Sequence, residues 1–146
     1  MERGSRRQVK AIKVAAGKAS SEIELEDTPT ARAILAALPF ESRAQTWGEE
    51  VYFSTPVSAK LEAGAKQVVE PGTACFWTEG DSIALPYGPT PISTDGKPKL
   101  ANRCNLIGRV KGDPRLLAAV RAGDKITVDV VPASPAVVPA KAETQK

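Results

Sequence analysis

Apolar and polar residues alternate in short bursts along this chain, and proline or glycine cuts off each burst before it reaches ten residues. In segment 22–26, Ile23 and Leu25 fall on one side and Glu22, Glu24 and Glu26 on the other. That period of two marks a strand with one buried face. Segments 8–14, 40–46, 50–53, 74–77, 82–85, 104–111 and 125–130 have the same character, giving about eight short strands. Gly17-Lys18 falls where a hairpin turn would join the first two, and Gly48 suggests a bulge or tight turn after Trp47. Two segments differ. Thr28-Pro29 and Asp113-Pro114 each supply a capping side chain followed by a proline suited to a first helical turn. They predict helices over 29–38, with Ala31, Ile34, Leu35 and Leu38 on one face, and over 114–122, with Leu116, Leu117 and Val120 inward and Gly123 closing the end. Residues 57–71 predict a loop or short strands. Residues 86–98 hold four prolines and two glycines and exclude a regular element. Two helices are too few for a parallel α/β fold. The expectation is a mainly β domain over 8–131, a barrel or sandwich of mostly antiparallel strands with the helices over its open ends. A basic arm, 1–7, precedes it, and a disordered tail rich in Pro and Ala, 132–146, follows.

The chain contains no histidine, which removes Ser-His-Asp and Cys-His catalysis, HExxH zinc sites and facial-triad iron. The net charge of +3 lies wholly in the first ten residues, where Arg3, Arg6, Arg7 and Lys10 oppose Glu2. A neutral body argues against a nucleic-acid partner, which requires a basic face. No run of 18 apolar residues and no signal-like apolar stretch occurs, so neither a membrane partner nor export is expected, and the cytoplasm is the expected compartment. Free thiols follow for Cys75 and Cys104, which read as small buried residues; a disulfide would require their strands to be neighbours. Neither GxGxxG nor a P-loop occurs. No cofactor and no metal are expected.

Aromatic residues with a few placed polar groups suit a small-molecule or peptide cleft. The candidates are Trp47, Tyr52, Trp77 and Tyr87 as walls, with Glu50, Arg103, Asn105 and Arg109 as orienting groups. Alternation puts Glu50 and Tyr52 opposite Val51 and Phe53, and Asn105, Ile107 and Arg109 together against Leu106, Gly108 and Val110. If the 88–91 turn folds over these strands, Glu50, Tyr52, Tyr87, Asn105 and Arg109 line one concavity. Each candidate also has a plain structural role available: the tryptophans as packing, Glu50 with Arg109 as a solvated ion pair, and Asn105 as a partner for a backbone group. Burial would raise the Glu50 pKa and an adjacent arginine would lower it. With no arginine in reach, Glu50 becomes a better general-base candidate.

The segments Asp27-Thr28-Pro29-Thr30-Ala31, Leu38-Pro39-Phe40, Trp47-Gly48-Glu49-Glu50-Val51-Tyr52-Phe53, Tyr87-Gly88-Pro89-Thr90-Pro91, Asn105-Leu106-Ile107-Gly108-Arg109-Val110 and Ala122-Gly123-Asp124 carry a resemblance. Over roughly 8–131 the chain resembles an uncharacterised family of small prokaryotic proteins with a cyclophilin-like fold. The resemblance implies a cyclophilin-like barrel. It does not carry over the prolyl isomerase activity, because the Phe-His-Arg and Phe-Met-x-Gln-Gly-Gly segments expected of a true cyclophilin are absent. Three functions stand beside one another: a binding module for a small molecule or peptide; a divergent peptidyl-prolyl isomerase, with Arg43 or Arg109 as electrophile; and an enzyme using Glu50 as base. The ligand and the oligomeric state are not set by the sequence.

Overall fold

The computed structural model describes residues 10–131. The expected basic arm and proline-rich tail lie outside the described residues. Ten strands occur in the order β1 (Lys10–Ala16), β2 (Ala19–Leu25), β3 (Phe40–Arg43), β4 (Gln45–Thr46), β5 (Glu50–Ser54), β6 (Lys66–Val68), β7 (Thr73–Trp77), β8 (Ser82–Pro86), β9 (Lys99–Val110) and β10 (Lys125–Val131). Helix α1 (Pro29–Ala37) follows β2, and a 3₁₀ helix (Pro114–Ala119) precedes β10. All the strand pairs are antiparallel, in the order β3-β10-β1-β2-β9-β7-β8-β5-β4, with β6 on the side of β9. The fold is mainly β, as the alternating segments predict.

The two ends of the sheet are β3 and β4, which are consecutive in the chain. Residues 40–46, expected as one strand, divide at buried Ala44, whose N–H donates to Asp124 O at 2.8 Å while Gly123 N–H donates to Ala44 O at 2.8 Å. One half pairs with β10 and the other with β5. The sheet curls round without a closing ladder: its ends are joined by this bend, and the Ser42 and Ser54 hydroxyls meet at 3.2 Å. Inward residues of every long strand, Ile12, Ile23, Phe53, Phe76, Ile83, Ile107 and Ile126 among them, form the interior core. Each such aliphatic or aromatic side chain contributes about 1.5–3 kcal/mol by leaving water.

Helix α1 begins as its sequence requires. The Thr28 hydroxyl accepts from Ala31 N–H at 3.1 Å, Pro29 occupies the first turn, and Ala31 and Ile34 are buried. The second helix is shorter than expected and is 3₁₀. Asp113 caps it through Arg115 N–H at 2.9 Å, but it ends at Ala119. Leu117 and Val120 are buried while Leu116 is 62% exposed, because a three-residue turn carries Leu116 away from the face that Leu117 occupies. Gly123 lies beyond this helix, in the turn to β10.

A second, smaller core lies on the other face of the sheet. Val69, Cys75, Ala84, Leu100 and Cys104 are buried there, with Tyr52, Trp77 and Leu106 packed against them. Strands β5, β7, β8 and β9 therefore have two apolar faces. Strand β6 and the loop around it cover part of the outer one through Lys66↔Cys104 and Val68↔Lys99 pairing.

Candidate functional site

On β5 the alternation is strict. Val51 and Phe53 enter the interior core, while Glu50 and Tyr52 stand on the outer face. Strands β8 and β7 add Ala84 and Trp77 to that face, and β9 adds Leu100, Ala101 and Cys104. With Trp47, these residues line a cavity of about 290 Å³. The Tyr52 and Trp77 rings meet edge to face, 6.4 Å between centroids at 89°, and the Trp77 indole N–H donates to Asn102 Oδ1 at 3.1 Å. One corner of the cavity is thus held by two oriented aromatic rings.

Glu50 is only 6% exposed, and its Oε1 has no hydrogen-bond partner among the described residues. Among the described residues, no basic side chain lines the cavity. Burial therefore acts unopposed and pushes the Glu50 pKa up to about 7. Two thiols stand in the same region. Burial drives Cys75 well above the usual thiol range and raises Cys104 to about 12, the Glu50 charge adding to both. Both cysteines remain neutral free thiols near neutral pH and are poor nucleophiles. Their strands are neighbours, but Cys75 faces Leu106, so Cys104 lies two residues along the ladder from a facing position.

Of the eight residues singled out in the sequence, Trp47, Glu50, Tyr52 and Trp77 border this cavity. Tyr87, Arg103, Asn105 and Arg109 do not, and the single concavity expected from alternation is corrected accordingly. Glu50 pairs with Pro86, so Tyr87, one residue on, turns to the opposite face and packs on the interior core. There the Arg115 guanidinium sits 5.8 Å from its ring centroid. On β9 a bulge breaks the alternation: Ala74 pairs with Gly108 but Cys75 with Leu106, leaving Ile107 without a partner. Asn105 and Ile107 consequently face the interior, while Arg109 is exposed and donates to Pro71 O at 3.4 Å. The expected grouping of Asn105 with Arg109 fails for this reason. Arg103 is exposed on β9.

Asn105 is wholly buried and ties three segments together. It accepts from Glu62 N–H at 2.7 Å and donates to the Thr30 hydroxyl and to Lys60 O, both at 2.9 Å. Glu62 returns to α1, its Oε2 accepting from Thr30 N–H and from the Thr30 hydroxyl. This is a clasp between β9, the first helix and the 57–65 loop, and none of its residues lines the Glu50 cavity.

The Trp47–Phe53 and Tyr87–Pro91 segments are bound to one another. Glu49 N–H donates to Pro89 O at 3.0 Å, and Tyr87 and Gly88 N–H both donate to Glu49 O. Gly48 has φ +59°, and a Cβ there would meet Pro91 Cδ at 2.7 Å; a Cβ on Gly88 would meet Glu49 Oε1 at 1.8 Å. At Gly48, with its positive φ and the Thr90 and Pro89 backbone alongside, only glycine lets the loops approach so closely; at Gly88 a side chain would have to displace the Glu49 carboxylate. The proline loop thereby fixes the backbone that aims Glu50 and Trp47.

The cyclophilin-like family profile matches residues 10–129. The chain belongs to the cyclophilin-like family. A solution structure of a hypothetical protein from Archaeoglobus fulgidus is similar at 38% identity and a TM-score of 0.73, over 84% of this chain and 96% of that one. Among proteins with curated functions, none matches this chain. This cyclophilin-like protein has a curled antiparallel sheet with two helices. Among its described residues no helix is long and apolar enough to cross a membrane.

Sequence reasoning did not reach Ala84, Leu100, Ala101 or Cys104 as cavity walls. Strand β9 begins at Lys99, five residues before the expected 104, and a period of two does run back through Leu100, Asn102 and Cys104. The polar Asn102 hid it, and that residue's partner is the Trp77 indole.

The position of Trp77 depends on the turn that follows it. A Cβ on Gly80 would come within 2.4 Å of the six-membered part of the Trp77 ring. Gly80→Ala is expected to displace the indole, change the near-UV circular dichroism and cost roughly 1 kcal/mol. An unchanged near-UV spectrum would show that the ring is not held by this contact.

Proposed function

We propose that this cyclophilin-like protein is a binding module for a small molecule or peptide, with the Trp47–Tyr52–Trp77 cavity as the cleft and Glu50 as the group that orients the ligand. The observation that carries the reading is the buried, unpartnered Glu50 Oε1 at a largely apolar wall. A buried carboxylate oxygen without a donor is costly, by about 1–3 kcal/mol or more, and a ligand N–H or O–H would supply the missing bond. The walls suit apolar substituents, and a volume of about 290 Å³ fits a small ligand or one or two peptide side chains.

The arginine candidates for prolyl isomerisation stand elsewhere. Arg43 donates to Gly123 O at 3.1 Å and Arg109 to Pro71 O. Negligible catalysis of prolyl isomerisation is therefore expected. A general-base role is favoured by one observation, the Glu50 pKa near neutrality, but among the described residues no group hydrogen-bonds its Oε1 to orient it as a base.

Both tryptophans of the chain border the cavity, so intrinsic fluorescence reports directly on occupancy. A metabolite and peptide screen read by fluorescence, paired with a prolyl isomerisation assay, tests the reading. Ligands that donate a hydrogen bond should change the emission and bind at least about tenfold more weakly to Glu50→Gln. Affinity should also depend on pH. The titratable groups facing Glu50 are Tyr52, Cys75 and Cys104, and the thiols stay neutral, so Glu50 controls the profile. With a pKa of about 7, binding to the ionised form should weaken about tenfold from pH 8 to pH 6. Hits that bind Glu50→Gln and the native chain alike, or an isomerase rate like that of an ordinary cyclophilin, would overturn the assignment.

A further inference from the structure

We propose that the cleft takes a protonated alkylamine, its N–H on Glu50 Oε1 and its alkyl groups against the rings of Trp47, Tyr52 and Trp77. This rests on the binding-module reading and names the ligand class. Three observations narrow it. Among the described residues Glu50 is the only charged one lining the cavity, and none of the other lining residues neutralises its ionised form. Its Oε1 is an acceptor that lacks a donor. The three aromatic residues are each half-buried, leaving ring surface open to the cavity, with Tyr52 and Trp77 set at right angles. Ring faces attract cations, by about 0.5–1 kcal/mol each at exposed sites and more when desolvated. A neutral donor would satisfy Oε1 alone. A cation would also balance the carboxylate charge and use the rings. Ala84, Leu100, Ala101 and Cys104 complete an apolar wall for alkyl substituents. A quaternary ammonium has no N–H for Oε1, so a primary to tertiary amine fits better.

The test follows the indole N–H signals of Trp47 and Trp77 by ¹H–¹⁵N correlation spectroscopy at pH 8, where Glu50 is ionised. The probes are trimethylammonium, tetramethylammonium, tert-butanol and benzyl alcohol. Trimethylammonium should bind at least about tenfold more tightly than tert-butanol, its neutral counterpart of similar shape, with tetramethylammonium between them. Glu50→Gln should remove the preference for the cation; benzyl alcohol, whose O–H also donates, should bind this variant more weakly but still move the indole signals through its ring. A blocked N,N-dimethyl-lysine amide separates two sources: tighter binding than trimethylammonium assigns the amine to a peptide, weaker binding to a free metabolite, and either supports the class. If tert-butanol matches trimethylammonium, the amine assignment fails. If benzyl alcohol moves the indole signals and no amine does, the amine assignment fails and the cleft survives. If no probe moves them, both fail.

Discussion

Glu50→Gln is expected to stabilise the protein at pH 8 by on the order of 3 kcal/mol and to leave its stability at pH 4 nearly unchanged. The sign follows from the raised pKa. Between about 4.5, the ordinary carboxyl value, and about 7, the native state keeps its proton on Glu50 while the unfolded chain releases it. The unfolded state then binds fewer protons, so native stability falls as pH rises through this window and levels off above it. A shift from 4.5 to about 7 corresponds to on the order of 3 kcal/mol. Glutamine has the shape of the protonated acid and cannot ionise, so the variant loses this pH dependence. Urea unfolding of both proteins at pH 4, 6 and 8 checks it. Parallel stability curves for the two chains would show that Glu50 is not desolvated. Loss of ligand affinity alongside a gain in stability would identify a side chain retained for binding at the expense of the fold.

The second large effect belongs to Asn105. Asn105→Ala is expected to destabilise by about 3–5 kcal/mol, because it removes three hydrogen bonds, opens a void in a wholly buried position and takes the Asn105 partner from the Glu62 N–H, the Lys60 carbonyl and the Thr30 hydroxyl. The loss should appear as a lower denaturation midpoint and as faster amide exchange in α1 and the 57–65 loop. Ligand binding at the Glu50 cavity should be preserved wherever the variant remains folded. A loss below about 1 kcal/mol would show that the clasp adds little to stability, and a selective loss of binding would return Asn105 to the ligand site.

Most of the architecture was legible because the alternation is local. Ile23 and Leu25 had to turn inward together, and Thr28-Pro29 had to open a helix. The 3₁₀ form of the second helix was not legible, since the same cap and proline serve either helix type. The site was half legible. Trp47, Glu50 and Tyr52 come from one strand and the bend before it, and Trp77 was found by its aromatic character alone. Tyr87 and Asn105 were misplaced for two nonlocal reasons: the Glu50↔Pro86 register and the bulge at Ile107, neither of which period counting reveals. The two-faced nature of β7 and β8 had a signal, since 74–77 and 82–85 carry no charged residue. Strands polar on one side and apolar on the other contain charges; these do not, so both faces are covered.

The most direct measurement is the titration of the Glu50 side-chain carboxyl carbon by ¹³C NMR in the ligand-free protein. The structure predicts a midpoint of about 7, set by burial without a basic neighbour. A midpoint near the ordinary 4.5 would mean that Glu50 is solvated or paired, and would contradict an unpartnered carboxylate waiting at the cleft.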